Sequence, residues 1–174
     1  AESGSTNARL NQRGQHRHGR MVPCPVVLDL CCGKLGDLRK WCNSGICYLV
    51  GADIARKSLE DAVSRYNTAK SATFPARFIS ADCCGVDLVP HFGEGIAFDI
   101  CSCQFALHYS FETEERARML LHNASARLRV GGYFIGTIPN ANRIVKRLRA
   151  GKKLRFGNSI YNIRFPSPAD RQPG

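Results

Sequence analysis

Val27-Leu28-Asp29-Leu30-Cys31-Cys32-Gly33-Lys34-Leu35-Gly36-Asp37-Leu38 is the stretch that decides the fold of this chain. Its first residues form an apolar run suited to a strand buried on both faces. Small residues then permit a tight reversal, and Asp37 opens a helix. Asp53 closes the next apolar run, about 20 residues beyond the turn, the spacing of an acidic residue that follows a strand–turn–helix nucleotide corner. The turn has to be small because the chain reverses there and its backbone approaches a ligand closely. Asp53 is placed where a carboxylate accepts both hydroxyls of a ribose.

Working outward, the chain alternates between extended and helical patterns. Residues 26–30, 48–53, 77–80, 98–105 and 133–137 read as strands, and 160–165 as a sixth strand or an edge hairpin. Helices are expected over 37–42, with Trp41 on the buried side, and over 57–67, with Leu59, Val63 and Tyr66 at helical spacing. A third runs from Thr113-Glu114-Glu115 to Arg129, stopped by Gly131-Gly132. A fourth covers 141–150, capped by Asn140 and ended by Gly151. Strand and helix in alternation give an α/β fold with a mostly parallel sheet and helices on both faces. Ligands on such sheets bind beyond the carboxyl ends of the strands. The informative polar residues all fall there: residues 31–36, Asp53, Asp82, 104–109 and 137–140.

The dinucleotide pattern Gly-x-Gly-x-x-Gly is absent, since cysteines occupy its first positions. An Asp two residues before the turn suits S-adenosylmethionine better than a nicotinamide dinucleotide. Composition sets further bounds. A chain of 174 residues with 44% apolar content is one domain with a sizeable core. It contains no apolar run long enough to span a bilayer and no secretory h-region, so no membrane is expected. Nine cysteines lack finger spacing, which argues against zinc, and no metal is expected. Reduced, buried thiols are the expectation. The net charge is +11, and residues 143–155 carry Arg143, Lys146, Arg147, Arg149, Lys152, Lys153 and Arg155 with no acid among them. Such a run points to a polyanion such as RNA, against the plainer reading of a solvated helix in a basic protein.

Several segments carry a resemblance to one family. They are the opening stretch extended to Lys40-Trp41, Asp53-Ile54-Ala55, Ala81-Asp82, residues 98–105 (Phe-Asp-Ile-Cys-Ser-Cys-Gln-Phe) and His108-Tyr109-Ser110-Phe111-Glu112. Residues 131–140 and Phe156-Gly157-Asn158-x-Ile160-Tyr161 complete the match. From residue 26 to 165 the chain resembles the eukaryotic mRNA cap (guanine-N(7))-methyltransferases. The first motif alone says only methyltransferase; the segment from Cys101 to Glu112 is specific to cap enzymes. The resemblance implies a Rossmann-like S-adenosylmethionine-dependent methyltransferase fold, incomplete at its C-terminal strands. It implies methyl transfer from S-adenosylmethionine to guanine N(7) of the mRNA cap, leaving S-adenosylhomocysteine. By the same resemblance Cys31, Gly33, Asp53, Asp82, Gln104 and Tyr109 are cofactor contacts, with Asp53 on the ribose and Asp82 on the adenine amino group. Lys34, Lys40, Arg65 and His108 match positions important for the cap. No residue is assigned as a catalytic acid or base, since N(7) carries a free lone pair and no proton. The implied partners are the capped RNA 5′ end, other capping-machinery proteins and a small activating subunit, and the implied location is the nucleus.

Plainer readings stand beside these: Lys40 and Arg65 as surface charges, His108 as a satisfied strand-end histidine, Tyr109 as core. The chain also departs from the family at two glycines, replaced by Cys31 and Leu35. If position 31 needs a positive φ, a Cβ there costs on the order of 1–2 kcal/mol; Leu35 is bulkier at the helix entry. Residues 1–21 read as a disordered or foreign segment, 22–165 as a partial methyltransferase domain and 166–174 as a frayed tail. The alternative function is a catalytically inactive cap- or RNA-binding remnant or fragment of such an enzyme. A small-molecule methyltransferase and a dehydrogenase are weaker readings.

Overall fold

The structure, a computed structural model, describes residues 15–17, 20–22, 24–151 and 154–167. The chain divides into two compact units, residues 1–137 and 138–174. The first holds a short antiparallel pair, β1 (Gln15–Arg17) and β2 (Arg20–Val22). After it come β3 (Val26–Leu30), α1 (Leu38–Ser44), β4 (Tyr48–Asp53), α2 (Arg56–Thr68), β5 (Ala76–Ser80), β6 (Phe98–Gln104), α3 (Glu114–Ser125) and β7 (Leu128–Thr137). Most of the segment expected to be disordered or foreign, and of the expected frayed tail, lies outside the described residues.

Five strands form one parallel sheet in the order β5-β4-β3-β6-β7. The order reverses between β3 and β6, and that is where an open α/β sheet leaves a crevice. Period-two alternation divides the sheet's side chains between two cores. Leu28, Leu30, Val50, Ala52, Cys101 and Cys103 pack with Leu120 and Ala124 of α3 and with Leu88 and Phe92 of the 83–92 connection. Val27 and Leu49 pack on the other face with Leu38 and Trp41 of α1 and Ala62 of α2. Helices therefore cover both faces, as the alternating pattern requires.

Three local expectations change. α3 ends at Ser125 rather than Arg129, because the Phe98 N–H donates to the Arg127 carbonyl at 2.8 Å and pulls residues 127–128 into the sheet. Gly131-Gly132 consequently lie inside β7 instead of stopping a helix. Gly131 has φ +81°, and a Cβ at Gly132 would stand 3.0 Å from the Asp99 carbonyl. The two glycines make an irregularity between β6 and β7, where the register shifts between Phe98 and Ile100. In α2, Ala62 rather than Val63 reaches the core; Val63 is exposed.

The cysteines also need a correction. Seven are free thiols, five of them buried, but Cys24 and Cys47 are joined by a disulfide. They precede β3 and β4, whose parallel register pairs Val26 with Tyr48 and so sets the two cysteines side by side.

The second unit contains α4 (Ala141–Gly151) and a hairpin of β8 (Arg155–Gly157) and β9 (Asn162–Arg164), resolving the strand-or-hairpin alternative. Asn140 caps α4, its Oδ1 accepting from the Arg143 N–H at 3.0 Å.

Candidate functional site

The turn after β3 is left-handed at alternate residues: Cys31, Gly33 and Leu35 have φ of 55°, 53° and 55°. The Leu35 N–H donates to the Cys32 carbonyl at 2.9 Å, and the Cys32 N–H reaches across to the Ala52 carbonyl at 3.0 Å. Each non-glycine residue held there costs on the order of 1–2 kcal/mol. Leu35 offsets this by complete burial beside Leu38 and Trp41. The side of Gly33 where a Cβ would stand is open space.

Asp53, at the end of β4, is almost wholly buried. Its Oδ2 accepts from the Gly33 N–H and its Oδ1 from the Ala55 N–H, both at 2.8 Å. One carboxylate thus fixes the turn and the entry of α2 together.

Asp82 follows β5, and its carboxylate is held from three sides. The Cys84 N–H donates at 2.9 Å, and the two terminal nitrogens of Arg116 lie at 3.1 and 3.5 Å. Gly85 allows this loop, since a Cβ there would stand 2.8 Å from Asp82 Oδ2. Arg116 is a member of this edge that the sequence reading missed; nothing in the pattern of α3 distinguishes it from Arg118.

Gln104 closes β6. Its Nε2 donates to Ser102 Oγ at 3.1 Å and its Oε1 accepts from Thr137 Oγ1 at 2.9 Å, so the amide is fixed across the β6–β7 pair. Next, Phe105 has φ 55° and is 71% exposed. His108 and Tyr109 lie in a 3-10 segment, Leu107–Glu112, with ring centroids 4.2 Å apart. Tyr109 is 70% exposed, so it is not core. His108 Nδ1 is buried without a hydrogen-bond partner, so His108 is not the satisfied strand-end histidine of the plainer reading.

The cations expected to matter for the cap divide. Lys34 pairs with Asp61 of α2 at 2.9 Å, and Lys34 first, then Lys57 and Arg65, hold that carboxyl below its ordinary range. Arg65 is exposed in the last turn of α2. Lys40 pairs instead with Asp37 at the start of α1. Among the described residues no hydrogen bond or ion pair joins His108 to these three.

Asp29 and the thiols of Cys31 and Cys83 also belong to this region. Asp29 is 3% exposed, and burial pushes its carboxyl up to about 7. The Trp41 indole and the Ser102 hydroxyl pull the other way, although Trp41 Nε1 finds no partner of full hydrogen-bond geometry. The Cys31 thiol is pushed above its ordinary range by its interaction with Cys103, and the Cys83 thiol by its interaction with Cys31. No group of three or more metal-ligating side chains is assembled among the described residues.

Sequence and structure comparisons fit this geometry. The mRNA (guanine-N(7))-methyltransferase domain pattern matches residues 10–173. The chain is 54% identical over 149 residues to mRNA cap guanine-N(7) methyltransferase 1 of Oryza sativa subsp. japonica, and 53% identical over 150 residues to that of Arabidopsis thaliana. Each alignment covers 82% of this chain and 40% of the relative, so the chain spans about two fifths of their length. Among solved structures, an S-adenosylmethionine-dependent methyltransferase from Clostridium acetobutylicum superposes with a TM-score of 0.56 at 18% identity, over 77% of this chain and 50% of that one. CalS10, an amino pentose methyltransferase from Micromonospora echinaspora solved with S-adenosylmethionine, gives 0.52 at 23%, over 67% and 44%. These superpositions establish the Rossmann-like methyltransferase fold. The sequence match goes further: the chain belongs to the mRNA (guanine-N(7))-methyltransferase domain family.

Proposed function

We propose that this protein transfers a methyl group from S-adenosylmethionine to N(7) of the guanine cap of mRNA. The observation that carries the reading is the Asp53 carboxylate fixed to the Gly33 amide at the sheet's switch point, beside open space over the turn. The donor and acceptor set suits an adenosine and a methionine: two carboxylates, Asp53 and Asp82, the amide of Gln104, the exposed ring of Tyr109 and the backbone at Cys31 and Gly33. S-adenosylmethionine, when bound, supplies a methyl group already activated on a cationic sulfur.

The chain's own work is binding and alignment. Asp53 would accept from ribose hydroxyls with the lone pairs that its two backbone donors leave free. Asp82 would accept from the adenine amino group, its direction fixed by Arg116. Lys34, Lys40 and Arg65 supply charge for the cap's phosphates, and His108 completes the cap side. Guanine N(7) has no proton to lose, so no side chain is assigned as acid or base. Holding nucleophile and methyl carbon in line can lower the barrier by roughly 7–11 kcal/mol. The retained acceptors favour this reading over an inactive remnant. Capped RNA is the partner, other capping proteins and a small activating subunit are expected beside it, and the nucleus is the expected location.

Calorimetric titration with S-adenosylhomocysteine tests the cofactor half. Micromolar binding that is lost in Asp53→Ala supports the proposal, and methylation of a capped RNA completes it. A folded chain that ignores S-adenosylhomocysteine sinks it.

A further inference from the structure

From Arg116 to Ala169 the chain contains no Asp or Glu. In the second unit this leaves Arg143, Lys146, Arg147 and Arg149 on α4 and Arg155 on the hairpin, with no carboxylate among the described residues there. The helix is two-sided. Ile144, Val145 and Leu148 are half-buried, whereas Arg143, Lys146, Arg147 and Arg149 are exposed. Spacings of three and four put Arg143, Lys146 and Arg147 on one face. With Asn140, Asn142 and Ala150 they form one open side of the helix. Arg147 also donates to the Tyr161 hydroxyl, which ties the hairpin to the helix.

Like charges one turn apart destabilise a helix. On α2 and α3, by contrast, carboxylates relieve the cations: Arg56 and Lys57 share Glu60, and Arg118 pairs with Glu114. α4 has no such relief among the described residues, and its cations stand ready for an anion. A bilayer-binding helix would present its apolar stripe to the lipid. Here that stripe is the less accessible side and the cationic face is open.

We propose that α4 is a sequence-independent seat for the phosphate backbone of RNA, with Arg143, Lys146 and Arg147 each neutralising one phosphate. This deepens the reading of RNA as substrate, but it can be tested without cap or cofactor. The probe is an uncapped, fluorescein-labelled 20-nucleotide RNA of mixed sequence, its binding to the full chain followed by anisotropy across a salt series. Single-stranded RNA contributes a slope of about −0.7 in log K against log salt per neutralised phosphate. Arg143→Gln/Lys146→Gln/Arg147→Gln should therefore flatten the slope by about 2 and weaken low-salt binding at least tenfold. Arg39→Gln/Arg56→Gln/Lys70→Gln removes three exposed cations elsewhere and should leave the slope near that of the parent chain. Equal loss in both triple variants shows a general charge effect and overturns the seat. So does an unchanged slope in the α4 variant, or tighter binding to phosphatidylserine vesicles than to RNA. Circular dichroism and S-adenosylhomocysteine titration of the α4 variant separate the outcomes. Lost RNA binding with folding and cofactor binding intact in that variant supports the seat; in the parent chain, α4-dependent RNA binding without cofactor binding leaves the seat standing while the methyltransferase reading falls.

Discussion

The Asp53 carboxylate and the Gly33 amide, 20 residues apart in sequence, meet at 2.8 Å. With the other carboxylate oxygen on the Ala55 N–H, Asp53 joins the turn after β3 to the start of α2. Asn cannot satisfy both donors, since one of its terminal atoms carries hydrogens that would face an N–H. Asp53→Asn should lose about 1–3 kcal/mol of stability, the cost of an unmet buried donor. It should also lose at least tenfold in S-adenosylhomocysteine affinity. Urea unfolding and calorimetry read the two separately; unchanged stability would remove the structural role assigned to this contact.

Cys31 and Leu35 share a φ of 55°, yet glycine should act oppositely at the two positions. Cys31 is half-buried and carries a small side chain, so relieving about 1–2 kcal/mol of backbone strain outweighs the packing lost. Leu35 is fully buried, and truncating it removes about 2–5 kcal/mol, more than the strain it relieves. Denaturation midpoints should rise for Cys31→Gly and fall for Leu35→Gly. A fall in both would mean that the thiol contacts of Cys31 outweigh its strain.

The same residues show how far the sequence could be read. The run 27–38 fixes strand, turn and helix because apolar periodicity and small-residue chemistry agree locally, and Asp53 follows from its place at a strand end. The family's glycine pattern also marked position 31 as one that could demand a positive φ. What escaped depends on partners distant in sequence. Residues 127–128 are compatible with a helix, and only pairing with Phe98 draws them into the sheet. Arg116 is indistinguishable from its neighbours until Asp82 arrives 34 residues away in sequence. Cys24 and Cys47 become partners only through the register of β3 against β4.

That disulfide closes a loop with a sequence separation of 23. Loop-closure entropy for a ring of that size is about 3 kcal/mol. Adding dithiothreitol should lower the thermal midpoint, and Cys24→Ala/Cys47→Ala should match the reduced protein and be insensitive to the reductant. If reductant shifts the double variant as much as the parent, some other cysteine pair is responsible. The experiment also bears on location, because a reducing nucleus would keep these thiols open.

Asp29 gives a pH signature with a definite sign. Its carboxyl titrates at about 7 in the native protein against an ordinary value of 3.8, because burial disfavours the charged form. The native state therefore holds a proton that the unfolded chain releases between these two values. Over that window ∂ΔG/∂pH is negative, so the contribution is fully present below about pH 4 and lost as pH rises through 7. The loss is at most about 1.4 kcal/mol per pH unit. Asp29→Asn keeps the volume and cannot ionise, so its stability should change less from pH 5 to 8, and it should overtake the parent chain near neutrality. Parallel urea titrations at half-unit steps would show this as converging and then crossing curves. Curves that stay parallel would mean that Asp29 is already ionised in the folded protein at pH 5, with Trp41 and Ser102 stabilising its charge more than burial opposes it.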